Sequence, residues 1–592
     1  MVISTKFEQI VVRFPENIAV TQGNESLTYR TLSERVTGLS HMLHHQAESQ
    51  YVMTLMEESI SLITAALAIM KAGKVFVPLS PKLPEQRLAT LLAQFRGATI
   101  ITCRQWLPLL EHLSEDYSLV LADEVQKNHS IPSLFVGEPE SSLPVSNTAS
   151  THNNSDIHHN KPAYVYFTSG STGQPKAILG REDSLLHFIH WESRELNLTP
   201  ADKVSQLINQ MFDPFLRDML LPLLNGATLC IPPAHDIRYS PQELLSWIRE
   251  QQISITHLIP SLFQVLLECP QSSDDLQSLR YAVLSGEMLK GSLVELFYQR
   301  QLQQTQLINL YGTTETTLAR VYYRVTEKDI QRALIPAGKP IDDTTIVVVD
   351  EQGETVPAGA EGEVWISTPF MSAGYLSAGS ENNLRFITPE KGELAGQPVY
   401  RTGDLGRIDE QGDLILLGRN DFQIKINGQR LETAEIESLL EQHPAVQQAI
   451  VQAFEQSHQP SQSVRLVAFI RLAPEMTVTA ETLDTYLASN LAAAMRPADY
   501  QFLSLFPLLS NGKIDRRALQ APAIRQTYQN RQDIVIPQGE RETKLAAIWQ
   551  SLLHIRQIGR DDSFFCTGRG FLTGNSYDCT SAGKNGAEFA FW

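Results

Sequence analysis

Residues 1–135 alternate short apolar runs with longer stretches of helical period. Tyr51-Val-Met-Thr-Leu-Met56 reads as a strand and Ile60–Lys71 as a helix. Ala72-Gly-Lys-Val-Phe-Val-Pro-Leu79 reads as a turn and a second buried strand. Such alternation predicts parallel sheet units with helical crossovers. Gly137–Asn160 has no period and is rich in Ser, Asn, Pro and His, so it reads as a loop or linker. Its His152, His158 and His159 suit a solvated loop better than a metal site. Ser184–Glu195 is predicted helical and carries His187, His190 and Glu192. It has no HExxH spacing, so these are assigned packing and surface roles.

Farther on come Met211-Phe-Asp-Pro-Phe215, Gly226–Pro233, Ile255–Ser261 and Leu279–Gly286, most of them strands ending in Gly, Pro or Ser. Ligands of open α/β sheets gather at such carboxyl ends. Residues 331–418 look β-rich, with short strands at Thr345–Asp350, Gly362–Ser367 and Asp413–Leu417. From Gly418 the pattern changes to a compact α+β unit. It has helices at Thr433–Glu441 and Ala480–Ala493, and strands at Ala449–Phe454 and Arg465–Leu472. A domain boundary is predicted at Arg419–Asp421.

At 592 residues the chain exceeds one ordinary domain. A formal charge of −18 argues against nonspecific nucleic-acid binding. Five cysteines without CxxC spacing suggest a reducing compartment. The first residues lack the apolar core of a signal peptide, and Ile60–Met70 is too short to span a bilayer. The expected setting is cytoplasmic, with no membrane or nucleic-acid partner.

The most informative stretch follows the apolar run Ala163–Phe167. In Thr168-Ser-Gly-Ser-Thr-Gly-Gln-Pro-Lys176, hydroxyl residues alternate with glycines and a lysine closes the set. Glycines let the backbone approach a ligand, and consecutive N–H groups form an anion-binding concavity. A plain surface loop would use the same residues. It is not a Walker A sequence, because Ala177 follows Lys176 where a magnesium-binding Ser or Thr would stand. If a polyphosphate binds here, another residue must hold the metal.

Several blocks in series resemble the adenylate-forming enzymes, specifically the amino-acid adenylation domains of nonribosomal peptide synthetases. They are Leu27–Leu32, Lys71–Leu79, Thr168–Lys176, Asn309-Leu-Tyr-Gly-Thr-Thr-Glu-Thr-Thr317, Tyr400-Arg-Thr-Gly-Asp-Leu405, Gly418-Arg-Asn-Asp-Phe-Gln-Ile-Lys-Ile-Asn-Gly428 and Asn511-Gly-Lys-Ile-Asp-Arg516. The resemblance spans roughly residues 8–525. It departs from the usual pattern at Thr313 (proline is common), Ala177 (glycine) and Glu182 (histidine).

The resemblance implies an α/β fold. A large N-terminal domain of α/β sheet subdomains and a β-rich subdomain (residues 1–418) precedes a small mobile α+β C-terminal domain (419–525). It implies ATP and Mg2+ as cofactors, with Thr168, Ser169, Gly170, Ser171, Thr172, Gly173 and Lys176 steadying the phosphates. Asn309, Tyr311, Gly312 and Thr314 complete the nucleotide site, with Tyr311 on the adenine. Asp404 takes the ribose hydroxyls, Arg419 lies near the ribose and Glu315 is the metal ligand. Lys513 bridges the substrate carboxylate and the nucleotide, Lys425 serves the second half-reaction and Asp421 is the hinge.

This chemistry is intelligible from charge alone, since joining a carboxylate to a phosphate needs fixed donors, a divalent cation and a positive charge where the anions meet. By the same resemblance Asp213 binds an α-ammonium, favouring an α-amino acid. Pro214, Arg217, His257, Val283, Ser285, Gly286, Leu310, Leu318 and Ala319 line the rest. Arg217 and His257 either greet a polar or acidic side chain or, with Arg217 paired to Asp218, leave a modest apolar pocket.

Residues 526–565 resemble the start of a peptidyl carrier domain, but Cys566-Thr-Gly-Arg-Gly-Phe571 follows where the phosphopantetheine serine is expected. Residues 566–592 read as an aberrant, unordered tail consistent with a premature end or frameshift. The expected carrier partner therefore acts in trans, in a loading module or stand-alone activator. An acyl- or aryl-CoA ligase and an inactive binding remnant are the competing readings.

Overall fold

The computed structural model describes residues 2–110, 117–122, 161–168, 175–233, 237–238, 240–270, 272–302, 304–376, 384–419, 423–426, 429–455, 464–474, 476–492, 495–507, 514, 516–520, 537–539, 542–544 and 546–547. The chain forms two compact units, the first ending at Arg430 and the second beginning at Leu431.

The first unit opens with a helix α1 (Ile3–Arg13), the hairpin β1 (Ile18–Gln22) and β2 (Glu25–Thr28), and helix α2 (Tyr29–Gln46). Strands β3 (Tyr51–Leu55), β4 (Val75–Leu79), β5 (Thr99–Thr102), β6 (Ser118–Leu121), β7 (Pro162–Thr168) and β8 (Lys176–Arg181) form a sheet in the order β6-β5-β3-β4-β7-β8. All neighbours are parallel except the hairpin β7–β8. Helix α3 (Ile60–Lys71) crosses from β3 to β4 as the pattern predicts. The Ser59 hydroxyl caps it by accepting the Leu62 N–H at 3.3 Å. Its run of Leu62, Ile63 and Ala65–Ile69 is wholly buried, each large side chain contributing roughly 1.5–3 kcal/mol.

A second sheet has nine strands. It adds β9 (Lys203–Ser205), β10 (Thr228–Ile231), β11 (Ile255–Leu258), β12 (Tyr281–Ser285), β13 (Gln306–Tyr311), β14 (Val321–Arg324) and β15 (Lys339–Pro340) to the first hairpin. The order is β15-β14-β13-β12-β11-β9-β10-β1-β2, parallel from β13 to β1 and antiparallel at both ends. Helix α4 (Glu182–Glu195), directly after β8, and helix α5 (Pro214–Leu223) join α3 in one apolar core that draws residues from both sheets, among them Val52, Phe76, Val204 and Val283.

Three of the four stretches expected to be mostly strands contain one, and the fourth, Met211–Phe215, is a turn running into α5. Pro214 starts the helix, where its missing N–H costs nothing and its fixed φ is already helical.

The expected β-rich part is a five-stranded antiparallel sheet of Thr345–Val349, Gly362–Ser367, Phe386–Ile387, Val399–Ile408 and Leu414–Arg419. Val348, Val364, Ile366 and Leu414 pack against Tyr311 and Val321, which fixes this sheet beside the end of β13.

The second unit has a three-stranded sheet of Val446–Glu455, Val464–Leu472 and Asp499–Phe502, with helices Thr433–Glu441 and Ala480–Ala488. The last helix ends earlier than its periodicity suggests. Ile450, Val467, Phe469, Phe506 and Leu519 form the core. Arg516 holds Glu437 through two hydrogen bonds of 2.9 Å. Among the described residues no helix is long and apolar enough to cross a membrane.

Candidate active site

Parallel strands β11, β12 and β13 lie in register, with His257 beside Val283, Val283 beside Ile308, and Ser285 beside Leu310. These residues share the sheet face, and Val283, Ile308 and Leu310 pack in the core with α4 and α5. Gly286 ends β12 at φ +91°, a left-handed conformation that glycine takes without strain.

Asp213 stands immediately before α5, almost fully buried. One carboxylate oxygen accepts the Thr314 hydroxyl at 3.0 Å, the other the Leu318 N–H at 3.3 Å. Burial pushes its carboxyl up to about 6. The two hydrogen bonds oppose that rise, and the nearby charge of Glu315 adds to it. Among the described residues no cation lies within ion-pair distance of it. Pro214 beside it is half-buried.

The partners of Asp213 come from the segment after β13. Gly312 begins it, and a Cβ there would stand 2.2 Å from the Leu318 carbonyl oxygen and 2.5 Å from Ala319 Cα. Only glycine permits that crossing. The Arg320 N–H closes the loop onto the Tyr311 carbonyl at 2.8 Å. Between them Thr317 (φ +66°) and Leu318 (φ +61°) are consecutive left-handed non-glycine residues, the first β-branched, a strained arrangement. Glu315, at the bend, is fully buried. Its Oε1 accepts the Tyr375 hydroxyl at 2.6 Å, and its carbonyl accepts the Ser372 N–H at 3.0 Å.

Arg320 is fully buried. It donates from Nε to the Thr316 carbonyl and from Nη2 to the Phe370 carbonyl, both at 2.5 Å, and its Nη1 lies 3.1 Å from His187 Nδ1. His187 stacks on Phe370 at 3.9 Å between ring centroids, while His190 is exposed.

Beside this loop, the Tyr311 hydroxyl donates to Asp404 Oδ2 at 2.5 Å and Arg419 donates to Oδ1 at 2.5 Å. Burial and then the Asp404 charge hold the Tyr311 phenol well above its ordinary range. The Asp404 N–H donates to the Thr402 hydroxyl at 3.0 Å. The side-chain amide of Asn309 donates to the Pro336 carbonyl at 2.8 Å.

Thr168 and the buried Lys176 face each other in register across the β7–β8 ladder. Ser169, Gly170, Ser171, Thr172 and Gly173 lie outside the described residues, as do Asp421 and Lys513. So do His152, His158, His159 and residues 566–592. Lys425 is on strand Gln423–Ile426.

Arg217 and His257 belong to a sealed network. Arg217 Nε donates to Asp218 Oδ1 at 3.0 Å. His257 sits between Asp218 Oδ1 (Nδ1, 3.1 Å) and Glu192 Oε1 (Nε2, 3.2 Å). All four side chains are at most 2% exposed. Burial and Arg217 push the His257 pKa down, but Glu192 and Asp218 outweigh them and it ends raised. Of the two arrangements open for Arg217, the pairing with Asp218 is the one present. Glu192 and Arg320 carry no sequence signal of their depth, since partners distant in the chain, His257 for the one and His187 and Phe370 for the other, meet them only in the fold.

The AMP-binding enzyme family model matches residues 7–376, and the AMP-binding enzyme C-terminal domain model matches residues 435–513. The chain belongs to the AMP-binding enzyme family. It is 34% identical over 566 residues to malpibaldin synthetase of Mortierella alpina, covering 95% of this chain and 10% of that protein. The chain thus spans about a tenth of the length of that curated relative.

Among solved structures it resembles NpsA-ThdA, an artificially fused adenylation–PCP di-domain from Klebsiella oxytoca. The TM-score is 0.68 at 24% identity, covering 84% of this chain and 93% of that one. It also resembles o-succinylbenzoate CoA synthetase of Bacillus subtilis, with a TM-score of 0.71 at 22% identity and coverage of 86% and 97%. At those identities the likeness concerns the fold.

Proposed function

We propose that this chain activates an α-amino acid. A carboxylate oxygen of the substrate attacks the α-phosphorus of ATP, the bond to the β-phosphate bridging oxygen breaks, and pyrophosphate leaves with the electron pair. The aminoacyl group then passes from AMP to the thiol of a phosphopantetheine carrier acting in trans, in a cytoplasmic setting that supplies ATP.

The observation that carries this reading is Asp213. It is a buried carboxylate with two neutral donors, no cation within ion-pair distance among the described residues, and a pKa pushed up to about 6. An ammonium group supplies the missing charge, and a fatty or aryl acid does not. Pro214, Val283, Ser285, Gly286, Leu310, Leu318 and Ala319 line the remaining pocket in this reading. Arg217 and His257 back it from within their network.

In the same reading Asp404 accepts the ribose hydroxyls. A carboxylate has about four acceptor sites and Tyr311 and Arg419 use one on each oxygen. Magnesium, when bound, neutralises phosphate charge. Among the described residues no group of three or more His, Cys, Asp or Glu could hold it alone. This suits an ion held by Glu315 together with phosphate oxygens and water. Lys513 meets the substrate carboxylate, Lys425 replaces it in the transfer step, and Asp421 absorbs the rotation between them.

ATP–pyrophosphate exchange over a panel of amino, fatty and aryl acids tests the reading. Amino-acid-dependent exchange that disappears in Lys513→Ala is expected. Exchange with fatty or aryl acids alone would favour the CoA-ligase alternative.

A further inference from the structure

We propose that Arg320 is a positioning residue for amino-acid binding, clamping the Gly312–Ala319 loop in the conformation that turns the Leu318 N–H and the Thr314 hydroxyl onto Asp213. The proposal rests on Asp213 being the ammonium seat.

A fully buried guanidinium is costly unless its bonds are good, and among the described residues no carboxylate lies within ion-pair distance of this one. Its hydrogen bonds are to neutral groups from three separate segments. One is the Thr316 carbonyl, inside the loop. Another is the Phe370 carbonyl, on the segment whose Ser372 N–H and Tyr375 hydroxyl hold Glu315. The third is His187 on α4. That bond needs Nδ1 unprotonated, which leaves the Nε2–H for Asp343 Oδ2 at 3.3 Å.

Thr316 is the residue just before the two left-handed ones. Such a conformation persists only where its surroundings over-determine it. The main-chain closure of Arg320 onto Tyr311 and the Gly312 crossing fix the ends of the loop. The guanidinium fixes its middle. Without that tether Thr317 and Leu318 are free to relax toward negative φ, which rotates the Leu318 N–H away from Asp213. Glu315 keeps its own ties to Ser372 and Tyr375, so the nucleotide side of the loop is affected less.

The test uses the full chain in ATP–pyrophosphate exchange with an amino acid the wild type activates. In Arg320→Met the amino-acid KM is expected to rise about tenfold or more, comparable to losing a hydrogen bond to a charged group. The ATP KM should move far less. Losing the Leu318 donor should also carry the acid limb of kcat/KM for the amino acid above its wild-type position. The charged groups that bear on that limb are Asp213 itself and Glu315, with the buried phenols Tyr164 and Tyr166 adjacent. Arg320→Lys, which keeps the charge and a donor, should restore part of both effects.

Equal rises in both KM values, or an unchanged amino-acid KM and acid limb in folded protein, would overturn the proposal. Should Arg320→Met fail to fold, His187→Phe keeps the stack on Phe370 but removes one acceptor. It should shift both readouts in the same direction by less, and no shift there would also overturn the proposal. If the wild type shows no amino-acid-dependent exchange, the function reading fails and this inference falls with it. Normal wild-type exchange with an indifferent Arg320 variant removes this inference alone.

Discussion

Tyr311 and Asp404 meet at 2.5 Å across the junction between the nine-stranded sheet and the β-rich sheet, and Arg419 closes the other side of the carboxylate. The ribose seat proposed above is thus oriented before any nucleotide arrives. Tyr311→Phe removes a donor and leaves the negative charge. The ATP KM is expected to rise about tenfold, with the amino-acid KM nearly unchanged. Asp404→Ala should cost more, because Arg419 then loses the carboxylate it pairs with. Steady-state exchange kinetics in both substrates separate these outcomes.

The raised pKa of Asp213 predicts a pH profile. Only the ionised carboxylate pairs with an ammonium, so the amino-acid KM should climb as pH falls through about 6. An acid limb that remains near the ordinary carboxylate range would contradict the prediction.

The same residue predicts a trade between stability and binding. A carboxyl whose folded pKa is raised stabilises the fold fully below its unfolded value of 3.8, and that contribution is lost as pH rises through about 6. Asp213→Asn avoids the buried charge and should raise the unfolding temperature at pH 7, by a stability gain of about 1–3 kcal/mol. It should also abolish selectivity for the amino group. Calorimetry at pH 4 and pH 7 checks the sign, because the gain should shrink at the lower pH.

The Glu192–His257–Asp218–Arg217 network predicts a different response. Removing one charge, as in Asp218→Ala, strands Arg217 and should destabilise by about 3–5 kcal/mol. Replacing Arg217 and Asp218 together with leucines should recover much of that. The raised His257 pKa makes its contribution complete below 6.5 and lost as pH rises through the folded value. His257→Phe should therefore lose less relative to wild type at alkaline pH, as measured by thermal unfolding.

Gly312→Ala tests the loop crossing. Its Cβ would overlap backbone atoms of Leu318 and Ala319, which cannot swing aside as a side chain would. The expected result is a folded protein with little exchange activity at any amino-acid concentration tested. Full activity would show that the loop can move.

Much of the architecture was legible because period and punctuation agreed. Leu62–Met70, apolar but for Thr64, is buried throughout. The β-rich segment announced itself through short strands at Thr345–Asp350, Gly362–Ser367 and Asp413–Leu417. Met211–Phe215 is the one of its four stretches without a strand, because Pro214 after Asp213 marks a helix start as readily as a strand end. Arg217 and His257 were legible as unusual, but their closure with Asp218 and Glu192 depends on α4, α5 and β11 meeting. Arg320 was missed for the same reason. An arginine after Thr-Leu-Ala reads as a surface residue until the Phe370 segment covers it.

The hairpin at the start of the chain has a consequence for synthesis. Val20 of β1 pairs in parallel with Leu229 of β10. At translation rates of about 5–20 residues per second, β1 leaves the ribosome roughly 10–40 s before its neighbour exists. During that interval β2 covers one edge of β1, while the other stays open to foreign strands. Expression yield should therefore respond to chaperone supply and translation speed more than to the stability of the finished fold.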